Sequence, residues 1–330
     1  MPYLEYAVGA IVVAVIAYVY IAKYRQDKAA KPAAGPSAFT QDLTERARLG
    51  KLEPVIGMED VIERLIHVIA RKTKNNPLII GEPGVGKTAV VEGLAQRIVK
   101  GEVPEAFKGK TLLSLSLADL MSGTKYRGEL EKRLREFLQG LEDKPRQYIL
   151  FIDEIHMLEQ ARGSEGSLDI ADIFKPALSR GELQIIGATT WREYEKYLKP
   201  DQAIDRRFQP VLVEEPSRET AIRILGGVKE TYEKFHDVCI PQETLEAAVD
   251  ASMKFIHDRF LPDKAFDVID EACAKVSIES SRPHAAALGL IHAASAKAKV
   301  ECALESKIVT PQDVADVAEQ WHTHRTKPVG

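Results

Sequence analysis

Short, unbroken apolar runs recur along the chain, at Leu78–Ile80, within 111–115, at Tyr148–Ile152, within 183–190 and at Val211–Val213. Runs of this length bounded by turn residues predict buried strands. Between them the period changes. Residues 59–72 place Val61, Leu65, Val68 and Ile69 on one side of a helix, 87–99 form a second helix, and 129–141 form a third that is charged on one face. From Asp42 a short polar helix runs to about Gly50, and Val55-Ile56-Gly57 makes a small apolar turn.

The first segment breaks this pattern. Residues 4–22 read LEYAVGAIVVAVIAYVYIA, with Glu5 as their one charge. About 19 residues rising ~1.5 Å each match the ~30 Å hydrocarbon layer of a bilayer. Tyr3, Tyr6, Tyr18 and Tyr20 sit toward its ends, and Lys23, Arg25, Lys28 and Lys31 follow it. This flanking charge predicts a single-pass membrane anchor with the remainder on the cytoplasmic side. A cleaved signal peptide is the rival, but it would carry a basic start that is missing here. Residues 23–40, rich in Ala, Pro and Lys, read as a tether whose charges either rest on anionic lipid or only set the topology.

Composition narrows the classes. A chain of 330 residues has room for one large domain or two modest ones. A net charge of −4 leaves no nucleic-acid footprint. Cys239, Cys273 and Cys302 are scattered without a C-x-x-C pair, which predicts thiols in a reducing compartment. His322 and His324 lack the further ligands that zinc requires.

Two stretches carry chemistry. After the first run comes Gly81-Glu82-Pro83-Gly84-Val85-Gly86-Lys87-Thr88, the spacing of a phosphate-binding loop between strand and helix. The glycines let backbone N–H groups turn toward phosphate oxygens, and the helix adds its positive end. Lys87 reaches the outer phosphates and Thr88 offers a hydroxyl to Mg²⁺. Tyr148–Ile152 then delivers Asp153 and Glu154 at a strand's C-terminal end, where open α/β sheets bind ligands. Asp153 is placed to hold Mg²⁺ and Glu154 to polarise a water. Thr190 ends another strand, where a threonine is as often a helix cap, and Arg206-Arg207 is as often a surface ion pair.

From Asp42 to about Arg282 the chain resembles the first ATPase ring of the Clp unfoldases, members of the AAA+ superfamily. The resemblance rests on LTERARLGKLEPVIG, the stretch from RKTKNNPLIIGEPGVGKT to VKGEVPE, GTKYRGELEKRL, ILFIDEIHML, KPALSRGELQIIGATT, DRRFQPV and LPDKAFDVIDEA. It implies an α/β fold: a P-loop NTPase αβα sandwich of AAA+ type with five strands, followed by a small helical lid. With the anchor, the expected domains are 1–22, 23–40, a nucleotide-binding domain at 41–213 and a lid at 214–330. It also implies ATP and Mg²⁺ as cofactors and a nucleotide-dependent homo-hexamer.

By the same resemblance, Gly81 to Thr88 and Asp153-Glu154 match the two Walker motifs. Thr190 matches a position that orients the attacking water. Arg206 and Arg207 match arginine fingers that reach the neighbouring subunit, and Val55 and Ile56 match residues around the adenine. Lys125-Tyr126-Arg127 matches a loop that grips protein substrates in the pore. Lys264 stands where many members carry a lid arginine. Asp172 replaces a common asparagine.

Leu288-Gly289-Leu290 resembles a protease-docking tripeptide, but it lies within an Ala-rich helix predicted over 284–305, so protease docking is not expected. No substrate domain, coiled-coil middle domain or second ring is expected. The resulting expectation is a membrane-anchored, single-ring ATPase that threads or remodels protein substrates and binds no nucleic acid. The alternative is a nucleotide-gated scaffold or assembly ATPase of a membrane complex, without threading.

Overall fold

The computed structural model describes residues 39–122, 127–142, 146–160, 173, 174, 176, 178, 183–280 and 307–326. The segments 4–22 and 284–305, most of the tether, Lys125, Tyr126, Asp172 and Leu288–Leu290 lie outside the described residues.

The strands are β1 (Thr40–Asp42), β2 (Asn76–Ile80), β3 (Thr111–Leu115), β4 (Tyr148–Ile152), β5 (Gln184–Thr189) and β6 (Phe208–Leu212). They form one sheet in the order β1-β3-β4-β5-β2-β6. The parallel pairs are β3 with β4, β4 with β5, β5 with β2 and β2 with β6. The expected five parallel strands are thus joined by a sixth, because β1 pairs antiparallel with β3 at the edge.

That strand begins at Thr40, where the expected tether ends. Phe39 is only 7% exposed, and its ring meets Phe137 edge-on with centroids 5.3 Å apart. Its carbonyl accepts from Ser116 N at 3.0 Å. An apolar side chain at the end of a polar stretch found the core, where burial outweighs the local composition.

In chain order the helices of the large domain are α1 (Leu43–Arg48), α2 (Glu59–Ile69), α3 (Lys87–Lys100), α4 (Leu117–Met121), α5 (Arg127–Glu142), α6 (Met157–Gln160), α7 (Trp191–Glu193) and α8 (Gln202–Asp205). Every residue of β2, β4 and β5 is buried, because helices cover both faces. Alternate side chains separate into two cores. Leu78, Ile80 and Leu150 meet Leu134, Phe137 and Leu138 of α5 on one face. Ile79, Ile149 and Phe151 meet Leu65 of α2 and Val90 and Leu94 of α3 on the other.

The lid consists of α9 (Arg218–His236), α10 (Gln242–Phe255), α11 (Asp263–Ser280) and α12 (Pro311–Thr326) around a third core that includes Leu225, Leu245, Val268 and Val314. The strand-like segment before α12 is fixed to the lid by Thr244 Oγ1, which donates to Val309 O at 2.7 Å. Cys273 is a buried free thiol.

The expected membrane location is also corrected. Among the described residues no helix is long and apolar enough to cross a membrane. Even α9, with 19 residues, buries only one stripe and carries Lys229, Glu230 and Lys234 elsewhere. Amphipathic helices of this kind satisfy their apolar face against other helices rather than lipid.

Candidate functional site

Strand β2 leaves the core at Ile80, and the chain must turn into α3 within a few residues. A Cβ at Gly81 would lie 2.5 Å from Val213 O. Gly84 and Gly86 hold φ of +84° and +97°, so the loop coils in a conformation that L side chains resist. Val85 is buried under the loop, while Glu82 and Pro83 face outward. Lys87 opens α3 and folds back across the loop, and its Nζ donates to Gly81 O at 3.0 Å and Glu82 O at 3.1 Å. A helix N-terminus, a coiled backbone and a cation held above them form an anion site.

The carboxylates arrive from the same edge of the sheet. Ile80 is level with Thr189, and Ile152 with Gly187, so the segments after β2, β4 and β5 converge. Thr88 Oγ1 donates to Asp153 Oδ2 at 3.1 Å. A hydroxyl beside a carboxylate, both oxygen donors, fits the hard-ligand chemistry of Mg²⁺, so these two residues are suited to hold it.

Glu154 takes φ +51°, uncommon for a residue with a side chain. Its N–H donates to Asp153 Oδ1 at 3.0 Å, and its carbonyl accepts from Met157 N at 2.9 Å. The next residue fastens the turn to β5: Ile155 N donates to Ala188 O at 3.0 Å, and its side chain occupies the space beside Gly187. Burial pushes the Glu154 carboxyl above the ordinary glutamate value. The charges of Glu193 and Asp153 push the same way, against His156 and Lys87.

His156 and Glu193 were not anticipated from the sequence, although His156 lies within the quoted FIDEIH stretch. His156 is 5% exposed. Its Nε2 lies 3.5 Å from Glu154 Oε2, and its Nδ1 lies 3.2 Å from Glu193 Oε2 and 3.1 Å from Thr189 Oγ1. Glu193 closes a capping box on α7. Thr190 Oγ1 donates to its Oε2 at 2.8 Å, Thr190 N donates to the same atom at 3.1 Å, and Glu193 N donates to Thr190 Oγ1 at 3.3 Å. Burial alone would raise the Glu193 carboxyl, but the bonds from Thr190 and the nearby His156 hold it below the usual value. Thr190 is thus a helix cap just after β5, linked through Glu193 to His156.

A pocket of about 380 Å³ opens beside the loop, lined by Val55, Ile56, Lys87, Thr88, Asp153 and Glu154 among others. Val55 packs where Gly93 has no side chain, and Ile56 where Gly227 has none. The opposite wall comes from the lid, through Ile224, Val228, Pro262 and Phe266. These were also missed. The apolar period of the lid helices would have flagged them only if the lid's docking face were known.

Lys264 does not line the pocket. It is buried, with Nζ 3.3 Å from Glu215 Oε1 and 3.4 Å from Ile256 O. Its neighbour Asp263 stands against the loop instead, and a Cβ on Gly84 would meet Asp263 Cβ at 2.6 Å.

Arg206 and Arg207 are exposed at the end of α8. The Arg207 carbonyl accepts from Asn76 Nδ2 at 3.4 Å, and Asn76 Oδ1 accepts from Ile185 N at 2.9 Å. Both arginines precede β6, whose first residue is level with Asn76. They therefore stand at the opposite end of β2 from the phosphate loop, about 16 Å along the strand at ~3.3 Å per residue. Arg127 opens α5, and its side chain lies outside the described residues.

Comparison with known proteins agrees with this geometry. Residues 77–213 match the ATPase family associated with various cellular activities (AAA), and residues 217–323 match the AAA lid domain. Chaperone protein ClpB of Pseudomonas putida is 54% identical over 246 residues, covering 74% of this chain and 29% of that protein. The ClpB of Chlamydia pneumoniae is 52% identical over 245 residues, covering 74% and 28%. The chain spans less than a third of the length of these curated relatives. Among solved structures, a Saccharomyces cerevisiae Hsp104–ADP complex superposes with a TM-score of 0.73 at 39% identity, covering 88% of this chain and 46% of that one. An extended Hsp104–casein complex from the same yeast superposes with a TM-score of 0.67 at 45% identity, covering 74% and 42%.

Proposed function

We propose that this chain, a Clp-type ATPase of the AAA+ class, works as one subunit of a nucleotide-dependent homo-hexameric ring that pulls on or remodels protein substrates. The observation that carries this reading is the separation of the site's parts. The phosphate loop, Thr88, Asp153 and Glu154 share one edge of the sheet, while Arg206 and Arg207 stand exposed at the other end of β2. An arginine so placed serves a neighbour's nucleotide rather than its own, which makes hydrolysis depend on assembly.

In this reading the N–H groups of residues 81–86 and the Lys87 ammonium bind the phosphates. Lys87 exchanges its bonds to Gly81 and Glu82 for phosphate oxygens. Thr88 and Asp153 hold Mg²⁺, which when bound neutralises charge on the outer phosphates. Glu154 takes the proton of the attacking water, and Thr190, released from its cap on Glu193, orients that water. Val55 and Ile56 with the lid wall enclose the base, so closure of the lid on nucleotide can be transmitted to the rest of the subunit. Lys125, Tyr126 and Arg127 grip the polypeptide. Hsp104 solved with casein supports protein as the substrate class.

The experiment compares basal ATPase with ATPase in the presence of casein, in the full chain and in Tyr126→Ala. The expected result is stimulation by casein in the parent and its loss in the variant, with basal turnover retained. Equal stimulation in both, or none in either, overturns the gripping role and leaves an ATPase that organises partners without pulling on them.

A further inference from the structure

We propose that His156 is a positioning residue for ATP hydrolysis: it bridges Glu154 to the Thr189–Glu193 cap and so fixes the direction of the Glu154 carboxylate. The inference rests on the reading of Glu154 as the base. Its grounds are geometric. The imidazole is buried between two acidic residues, with Nε2 facing Glu154 at 3.5 Å and Nδ1 facing Glu193 at 3.2 Å and Thr189 at 3.1 Å. The two carboxylates therefore lie against different ring nitrogens.

The ring itself has little freedom. Tyr197 stacks on it at 5.9 Å between centroids, and Thr189, which faces it, is fully buried in β5. The turn that carries it is tied to the same strand by the bond from Ile155 N to Ala188 O. Glu154, by contrast, is half exposed and has a long side chain that must otherwise be held by solvent. Nε2 faces this carboxylate at 3.5 Å from a rigid support, while on the other side Thr189 Oγ1 lies 3.1 Å from Nδ1 and donates to Glu193 Oε2 at 3.2 Å. The other nitrogen anchors the ring to the capping box that also contains Thr190. The proposed base and the proposed water-orienting residue are in this way joined through three side chains rather than placed independently. Supporting groups of this kind hold a reacting side chain within a few tenths of an ångström of its working geometry.

The test exploits the two nitrogens. The amide N–H of glutamine reaches the position of Nε2, whereas that of asparagine reaches only the position of Nδ1. ATPase kinetics of the full chain with Mg²⁺-ATP are measured for His156→Gln, His156→Asn and Thr189→Val, with nucleotide affinity read separately by a fluorescent ADP analogue. The expected result is that His156→Gln keeps at least roughly half of kcat, that His156→Asn loses about tenfold or more, and that KM and ADP affinity move less than about twofold in both. Thr189→Val, which frees the Nδ1 side without touching the histidine, should lower kcat by roughly threefold or more.

Equal activity of the asparagine and glutamine variants overturns the proposal, since a merely structural histidine would not distinguish them. If both histidine variants lose ADP binding through misfolding, Thr189→Val decides, and unchanged kcat there overturns it. In the Glu154→Gln background, His156→Asn should cause no further loss, because the group it positions is gone; a full additional loss also overturns the proposal. Normal turnover by Glu154→Gln alone would instead refute the base reading, a distinguishable outcome.

Discussion

Thr88 Oγ1 donates to Asp153 Oδ2 across 3.1 Å, although the two residues are 65 apart in the chain. The contact exists because β2 and β4 run parallel with β5 between them and end within two residues of each other's level on the same edge. It joins the glycine loop at 81–88 to the acidic pair that follows β4.

That junction separates two classes of variant. Lys87→Ala removes the cation that bridges Gly81 and Glu82 and should weaken ATP binding by about tenfold or more, as a charge-assisted contact is lost. Glu154→Gln should bind ATP normally and lose about 10²-fold in turnover. A fluorescent-nucleotide titration beside a phosphate-release assay tells them apart. Wild-type turnover by Glu154→Gln would sink the assignment.

Gly187→Ala tests how the turn is held. A Cβ there would lie 2.8 Å from Ile155 Cδ1 and 3.0 Å from Leu78 Cδ1, between two buried side chains. Overpacking of this kind costs about 1–3 kcal/mol, visible as a lower denaturant midpoint at unchanged slope. Because Ile155 carries Glu154 and His156 on either side, kcat should fall as well. A variant with parental stability and activity would show that the turn is not fixed by this contact.

The pH profile of kcat should report the raised carboxyl of Glu154. Burial and the charges of Glu193 and Asp153 keep its proton on to a higher pH than in an ordinary glutamate. The base works ionised, so activity should be full above this value and be lost as pH falls through it. Glu193→Gln removes one raising charge, and the acidic limb should then move to lower pH. Movement in the other direction would contradict this account.

Mixing decides whether the arginines act across subunits. Arg207→Ala alone should bind nucleotide normally yet turn over at least ~10³-fold more slowly. Mixed with Lys87→Ala chains it should regain part of its activity, because some interfaces then pair an intact loop with an intact arginine. An inactive mixture, with assembly verified by light scattering, would count against action in trans.

The strands and the phosphate loop were legible in the sequence because each is a local signal. Apolar runs at 78–80 and 148–152 report burial on both faces, and the glycine spacing at 81–86 reports a required backbone conformation. What escaped was set by partners distant in sequence. β1 exists only because β3 offers it an edge, and Phe39 is core only because Phe137 meets it. His156 and Glu193 acquire meaning only when the turn after β4 is laid on β5. Lys264 gives the reverse lesson. Its position matched a lid cation, but Glu215 draws it away from the pocket, and its neighbour Asp263 faces the loop. Residues 4–22, the expected span, lie outside the described residues, and among those described no helix is long and apolar enough to cross a membrane.

Asn76 has a consequence for timing. Its side-chain amide grips the Arg207 carbonyl at one end of β2, and the phosphate loop begins at the other end. β2 is fully buried and bonded on both sides, so it behaves as a tie-rod without slack. On the proposed ring reading, a displacement of the loop would be passed along β2 toward the arginines, and motions at the two ends of the strand should then run in step.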